Sequence, residues 1–249
     1  MTSQFHSEFI LDVRVDYVGG SDINNFIGQS IEAKKKVTIG NVNIHAMNLS
    51  VEDDSFKRFT NNADMVFCDG KGVQLAFFLQ RKLVPPHVTY EVWMWQLLPF
   101  CAEKKYRLFF LGSKPGVAAK AKEKINLIYP GLGIEHHHGY FDKNGQESNE
   151  VIDIINSFKP HILIVGFGMP VQEKWIEDNI ERIDTNVVLN GGAYLDWISG
   201  ERVNCPNWMR KIGMEWVYRL MLEPRRLFKR YIFGNPKFIF RILKESYYA

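Results

Sequence analysis

From Val37 to Ser199 the chain repeats one pattern: a short apolar run, a loop, then a stretch of helical periodicity. The apolar runs fall near 37–40, 64–68, 106–111, 133–136, 161–166 and 186–190. The helical stretches fall near 42–49, 71–82, 115–128, 147–157, 171–182 and 192–199. Strands that run parallel need a crossover between them, and helices of this length serve as the crossovers while covering the sheet. The expected fold is therefore α/β and Rossmann-like, a mostly parallel sheet with helices on both faces. "HILIVGFG" is the clearest strand, an unbroken apolar run set between Pro160 and the glycines Gly166 and Gly168, as expected of a strand buried on both faces. Residues 1–36 precede the pattern. They are polar, with turn signals at Gly19-Gly20 and Asn24-Asn25, so an irregular N-terminal segment is expected there.

The character changes after Pro206. "NWMRKIGMEWVYRLMLEPRRLFKRYIFGNPKFIFRILKESYYA" reads as two or three amphipathic helices broken at Pro224 and at Gly234-Asn235-Pro236. The expected organisation is a Rossmann-like body over 1–205 and a basic, aromatic-rich helical appendage over 206–249. Residues 208–249 carry a net charge of +7, against −4 for the rest of the chain, so the total of +3 conceals a strong asymmetry. A basic, aromatic tail on a mildly acidic body suits an anionic partner: a membrane surface, a pyrophosphate or a nucleic acid. No run reaches the ~18 apolar residues of a membrane span, and the N-terminus lacks the basic-then-apolar order of a secretory signal. Cys68, Cys101 and Cys205 have no metal-ligand spacing, which fits reduced thiols in a cytoplasm.

Several strand ends carry residues suited to chemistry. In "MVFCDGKGV", Asp69 closes an apolar strand on a hinge of Gly70 and Gly72. Asp-Gly is a common turn, and a carboxylate at the carboxyl end of a sheet strand also sits where open α/β folds collect ligands. Further glycines end the other strands: Gly112, Gly166, Gly168, Gly191 and Gly192. Each can serve tight packing alone; together on one sheet edge they favour a nucleotide or phosphate site. No complete dinucleotide fingerprint and no phosphate loop of the G-x-x-x-x-G-K-[ST] kind is present. After Gly168, Pro170 suits a first helical turn, which places Gln172 and Glu173 near a helix N-terminus. The carboxylate there can complement the helix dipole, while the amide of Gln172 can reach a uracil, a sugar hydroxyl or a phosphate. Asp196 follows Gly191-Gly192 and can face the cleft or cap its helix. His136-His137-His138 do not converge on one ion along a strand, and no metal-binding aspartate pair is evident, so no metal cofactor is expected.

These landmarks resemble the WecG/TagA/CpsF family of bacterial glycosyltransferases. The resemblance spans about Val37 to Phe240, through "ADMVFCDGKGV", "LFFLGSKPGVAAKA", "YPGLGI", "HGYF", "PHILIVGFGMPVQEKWI", "NGGAYLDWISG" and "GMEWVYRLMLEPRRLFKRY". It implies inverting transfer of a hexose, an N-acetylhexosamine or an N-acetylhexosaminuronate from a UDP-sugar to a polyprenyl-diphosphate-linked saccharide. It implies a metal-independent enzyme attached peripherally to the cytoplasmic face of the plasma membrane, serving surface polysaccharide synthesis. By motif position, Asp69 matches the proposed general base, Gln172 the cleft glutamine, and Arg219, Arg226 and Arg230 (or Lys229) the basic residues of the appendage. Arg225 belongs to the same basic stretch, expected to meet diphosphate or lipid.

The chain also departs from the family pattern. Relatives have an arginine near residue 87 and an aspartate five residues on, where this chain has His87 and Val92. Asn204-Cys205-Pro206 stands where Arg-Ala-Pro or Arg-Gly-Pro is usual. Asn41 matches the early family asparagine, but the threonine expected two residues before it is Ile39, with Thr38 one further back. Two rival readings follow: a UDP-sugar-binding member without catalysis, suggested by Val92 and Asn204, and a nucleic-acid-binding module using the tail. The second lacks a basic body and any RNA-recognition signature, so no nucleic-acid partner is expected. Exposed apolar tail surface can drive self-association into a homo-oligomer when lipid is absent.

Overall fold

The computed structural model describes residues 5–203, 205, 206, 208, 209 and 212–248. Asn204 therefore lies outside the described residues, as do Arg210 and Lys211 of the basic tail. Six parallel strands form the main sheet: β3 (Val37–Val42), β4 (Met65–Cys68), β5 (Leu108–Gly112), β6 (Ile134–His137), β7 (Ile162–Gly166) and β8 (Val187–Asn190), in the order β4-β3-β8-β7-β5-β6. β4, β5, β7 and β8 are buried along their whole length, which accounts for their continuous apolar runs. Helices α2 (Ile44–Glu52), α3 (Asp54–Asn62), α4 (Lys71–Leu79), α6 (Val117–Ile128), α7 (Gln146–Phe158), α8 (Val171–Asn179) and α9 (Tyr194–Ser199) connect or follow these strands. The α/β, Rossmann-like expectation is met.

The N-terminal segment is ordered, against the expectation of an irregular one. β1 (Ser7–Ile10) and β2 (Val13–Asp16) form an antiparallel hairpin, and α1 spans Gly20–Glu32. The hairpin turns on Leu11 and Asp12, both at positive φ, where sequence rules look for Asn-Gly or Asp-Gly. It shields the edge of the main sheet: buried Asp16 accepts the N–H of Val66 on β4 at 2.7 Å and pairs with Arg14 at 3.2 Å. In α1, Ile23, Ile27 and Ile31 form a buried stripe four residues apart. Asn24, which reads as a turn former, instead accepts from the Trp93 indole at 2.9 Å. That indole lies on α5 (Tyr90–Lys104), a helix absent from the expected set, with Pro99 in its interior.

The tail also differs from expectation. α10 (Glu215–Leu222) does end before Pro224, which opens α11 (Pro224–Phe228). At Gly234-Asn235-Pro236 there is no break: a π-helical turn over Lys229–Phe233 runs directly into α12 (Gly234–Tyr248). Pro236 cannot donate to the carbonyl one turn back and its ring crowds it; the wide turn absorbs that defect. α12 lies on the body. Phe238 and Ile242 are fully buried with Ala46, Met47 and Phe77, Lys237 and Arg241 pair with Glu52 at 2.7 and 3.0 Å, and Asn48 donates to the carbonyl of Gly234 at 2.8 Å. Phe238→Ala is expected to cost about 3–5 kcal/mol, as for other fully buried aromatics. Urea unfolding would measure it, and an unchanged midpoint would show that α12 is not seated by this ring.

Candidate active site

A cavity of about 470 Å³ opens at the carboxyl ends of β3 and β4 and is closed on its far side by the tail. The body contributes Asn43, Ile44, His45, Asp69, Gly70, Lys71, Leu75 and His87. The tail contributes Glu215, Trp216, Arg219, Arg230, Tyr231 and Ile239. The volume is ordinary for a small-molecule site. Its polar groups come from segments more than 120 residues apart in the chain, and only the docking of the tail brings them together.

Asp69 is where the sequence puts it, directly after β4, its N–H continuing the ladder to the carbonyl of Val42 at 2.8 Å. Gly70 follows at φ 123°, a conformation that turns the chain sharply into α4 and that a side chain would strain. Asn41 and Asn43 both donate to Asp69 Oδ2, at 3.0 and 3.4 Å. Burial pushes the carboxyl's pKa up, opposed by the charge of Arg219, by His87 and by the Asn43 hydrogen bond. A carboxylate so held is anchored on one oxygen and a better base than one in water.

The tail cations divide into two groups. Arg219 is enclosed between Glu215, with which it pairs, and the Trp197 ring, 5.0 Å from its guanidinium carbon. Arg230 lies in the π-turn and no carboxylate pairs with it among the described residues; its Nε is buried without a hydrogen-bond partner. Burial lowers its pKa foremost, as desolvation must for an unpaired cation. Arg225, Arg226 and Lys229 are exposed on the outer face, with Arg226 paired to Glu223. Of the two residues left open by the family motif, Arg230 is the one that lines the cavity.

The remaining site candidates lie elsewhere. Thr38 is near the start of β3, three residues and thus about 10 Å from Asn41, because a parallel strand presents only its carboxyl end to the cleft. Its N–H donates to Asp64 at 2.8 Å. Gln172, expected to hydrogen-bond a uracil, a sugar hydroxyl or a phosphate, is fully buried, and its partners are all protein groups. Its Oε1 accepts from the N–H groups of Gly168 and Gly192, both at 3.1 Å, and its amide donates to Glu173 at 2.7 Å. It thus ties the loop after β7 to the loop after β8. Glu173 is sealed beneath it rather than facing the cleft: it also accepts from Asn190 at 2.9 Å, and burial raises its pKa. Gln172→Ala would remove the acceptor of two half-buried N–H groups, at about 1 kcal/mol each. The urea midpoint should fall accordingly, and an unchanged one would mean these amides find other partners.

Gly112 and Gly166 are packing glycines. A Cβ on Gly112 would lie 2.5 Å from the Gly166 carbonyl oxygen, and one on Gly166 equally close to that of Gly192. Gly191 is pressed against Ile164 and Tyr194, and Gly72 against Ile44. Asp196 neither caps nor lies open: it accepts from Ser113 at 2.7 Å and pairs with Arg202 at 3.1 Å. Sequence reading passed over Asn43, His45 and Glu215. Asn43 also caps α2, accepting from the N–H groups of His45 and Ala46, and asparagine just before a helical period is the signal that could have found it.

The model of the glycosyl transferase WecG/TagA/CpsF family matches residues 9–248. Among similar proteins are the N-acetylglucosaminyldiphosphoundecaprenol N-acetyl-beta-D-mannosaminyltransferases of Staphylococcus aureus strains NCTC 8325 / PS 47, COL and MSSA476. Each is 26% identical over 242 residues, covering 94% of this chain and 93% of the relative. With a match over nearly its whole length, and with an aspartate, two asparagines and two arginines gathered on one cleft, the chain belongs to the WecG/TagA/CpsF family of glycosyl transferases.

Proposed function

We propose that this glycosyltransferase moves a hexose or N-acetylhexosamine from a UDP-sugar to a saccharide carried on a polyprenyl diphosphate, with inversion at the anomeric carbon. The observation that carries the reading is a carboxylate, Asp69, whose pKa burial raises, sharing one cavity with two half-buried arginines, Arg219 and Arg230. Asp69 takes the proton of the acceptor hydroxyl as its oxygen bonds to the anomeric carbon. The bond from that carbon to the donor's β-phosphate oxygen breaks on the opposite face, and its electrons leave with UDP. Both arginines then stabilise the charge gained by the departing diphosphate, a role the guanidinium fork suits well. On this reading the protein supplies that charge itself and needs no metal ion. The names of the Staphylococcus aureus relatives support the acceptor class, since those enzymes act on an N-acetylglucosaminyl diphosphoundecaprenol.

UDP release from a panel of UDP-sugars, with a short-chain lipid-diphosphate-sugar acceptor and with or without EDTA, tests the reading. Acceptor-dependent release that survives EDTA is the expected result. A donor that binds without turnover under every condition would favour a family member that has lost catalysis.

The membrane part of the proposal rests on the tail's outer face. Among the described residues no helix is long and apolar enough to cross a membrane. Phe233 and Phe240 are 63% and 69% exposed, the Phe228 ring lies 5.9 Å from that of Phe233, and Met221, Leu243 and the cations Arg225, Lys229 and Lys244 are exposed on the same tail. Such a face suits peripheral attachment to the anionic cytoplasmic leaflet, and without lipid it can cover itself by self-association. Flotation with anionic vesicles should be lost when Phe233 and Phe240 are both replaced by Asp; retention would overturn the attachment.

A further inference from the structure

Two histidines on the cavity wall have no part in the reading above. His45 stands in the first turn of α2, and His87 stands on the segment between α4 and α5. His87 also borders a second, smaller cavity with Gly20, Val92, Trp93 and Gln96, so it forms the partition between two spaces. Its Nε2 is buried and makes no hydrogen bond among the described residues, which is costly unless a ligand or water meets it. His45 lies within the field of Arg230. Each imidazole therefore shares the cavity with a half-buried arginine and with the Asp69 carboxylate.

We propose that His45 and His87 are diphosphate ligands that bind as imidazolium, so that seating a diphosphate draws protons from solution. This rests on the cavity being the diphosphate site. The charges around each ring explain why the free protein keeps them neutral. His45 is pushed down to about 4 by burial first and then by Arg230, with Glu52, about two turns along the same helix, opposing. His87 is lowered by burial and by Lys71, against the raising influence of Asp69 and Glu215. Arg219 and Tyr231 complete the same wall.

A diphosphate entering this space brings two or more negative charges against the rings. At contact distance in a partly desolvated site an opposite charge strongly favours the protonated ring, and two do so more. A protonated ring then donates from both nitrogens, and the unpartnered His87 Nε2 gains an acceptor. The sign follows directly. The rings are neutral when free and charged when bound, so affinity rises as pH falls, until Asp69 protonates and turnover is lost.

Calorimetry of UDP, of inorganic pyrophosphate and of geranyl diphosphate, in buffers of different ionisation enthalpy near pH 7, counts the protons taken up. The expected result is about one to two protons per ligand and affinity weakening roughly tenfold or more per pH unit between 6 and 8. His45→Gln and His87→Gln should each reduce the uptake and flatten that slope, and the double variant reports the ligand's own protonation alone. Comparing UDP with geranyl diphosphate tells whether the nucleotide or the lipid diphosphate occupies the site. If either variant fails to fold, the imidazole Cε1–H resonances of the wild-type protein, titrated with and without UDP, give the same answer. Diphosphate binding with neither proton uptake nor a histidine shift overturns the inference and leaves the site standing. No binding of any of the three probes overturns the site itself.

Discussion

Asp69→Asn is expected to lower kcat by about 10²- to 10⁴-fold while leaving the affinity for UDP nearly unchanged. The substitution keeps the shape of the side chain and its place after β4, and removes the negative charge and with it the ability to take a proton. Asparagine can still accept from Asn41 and Asn43 through its carbonyl oxygen, so those anchoring hydrogen bonds survive. The pH profile of the wild-type enzyme gives an independent reading. The carboxyl must be ionised to act, and burial raises its pKa, so activity is lost as pH falls through a value above the ~3.9 of an exposed aspartate. The acid limb of kcat should stand above that value in the wild type and be absent from whatever activity the variant retains. A variant with undiminished kcat would return Asp69 to the role of a turn residue.

Arg230→Met separates activity from stability. Arg230 is half-buried with its Nε fully enclosed, lies in a wide helical turn, and has no carboxylate partner among the described residues. The folded protein bears the desolvation of that charge without an ion pair to offset it, so a flexible apolar replacement of similar length should leave the melting temperature unchanged or raise it. The same replacement removes a donor held ready for the leaving diphosphate, a loss of about 10²- to 10³-fold in kcat. Arg219 would not give this separation, because its removal strands the Glu215 carboxylate. Thermal denaturation and UDP release on the same sample decide the matter. A large drop in melting temperature would mean that Arg230 is a structural residue of the tail.

The parts of the fold that the sequence made readable share a property. β4, β5, β7 and β8 are buried from end to end, so their apolar runs owe nothing to any particular neighbour. The parts it concealed depend on distant partners. α1 looks like a turn because Asn24 is there to meet Trp93, some 70 residues on, and the hairpin turns on residues without a turn signature. Likewise the tail helix runs through Pro236 because a wide turn precedes it and because Phe238 and Ile242 have a place on the body to fill.

The site divides in the same way. By itself the sequence determined the layered α/β architecture, the position of Asp69 at a strand end, and the concentration of positive charge in the last 42 residues. These follow from local periodicity and composition, which every residue carries with it. The tertiary structure alone decided which of five basic residues meet Asp69, turning Arg219 and Arg230 inward and leaving Arg225, Arg226 and Lys229 outside. It also withdrew Gln172 and Glu173 into a buried clamp and brought His45 and His87 to the cavity wall. A side chain's direction depends on how two packed surfaces meet, and a linear sequence records the surfaces without recording their meeting.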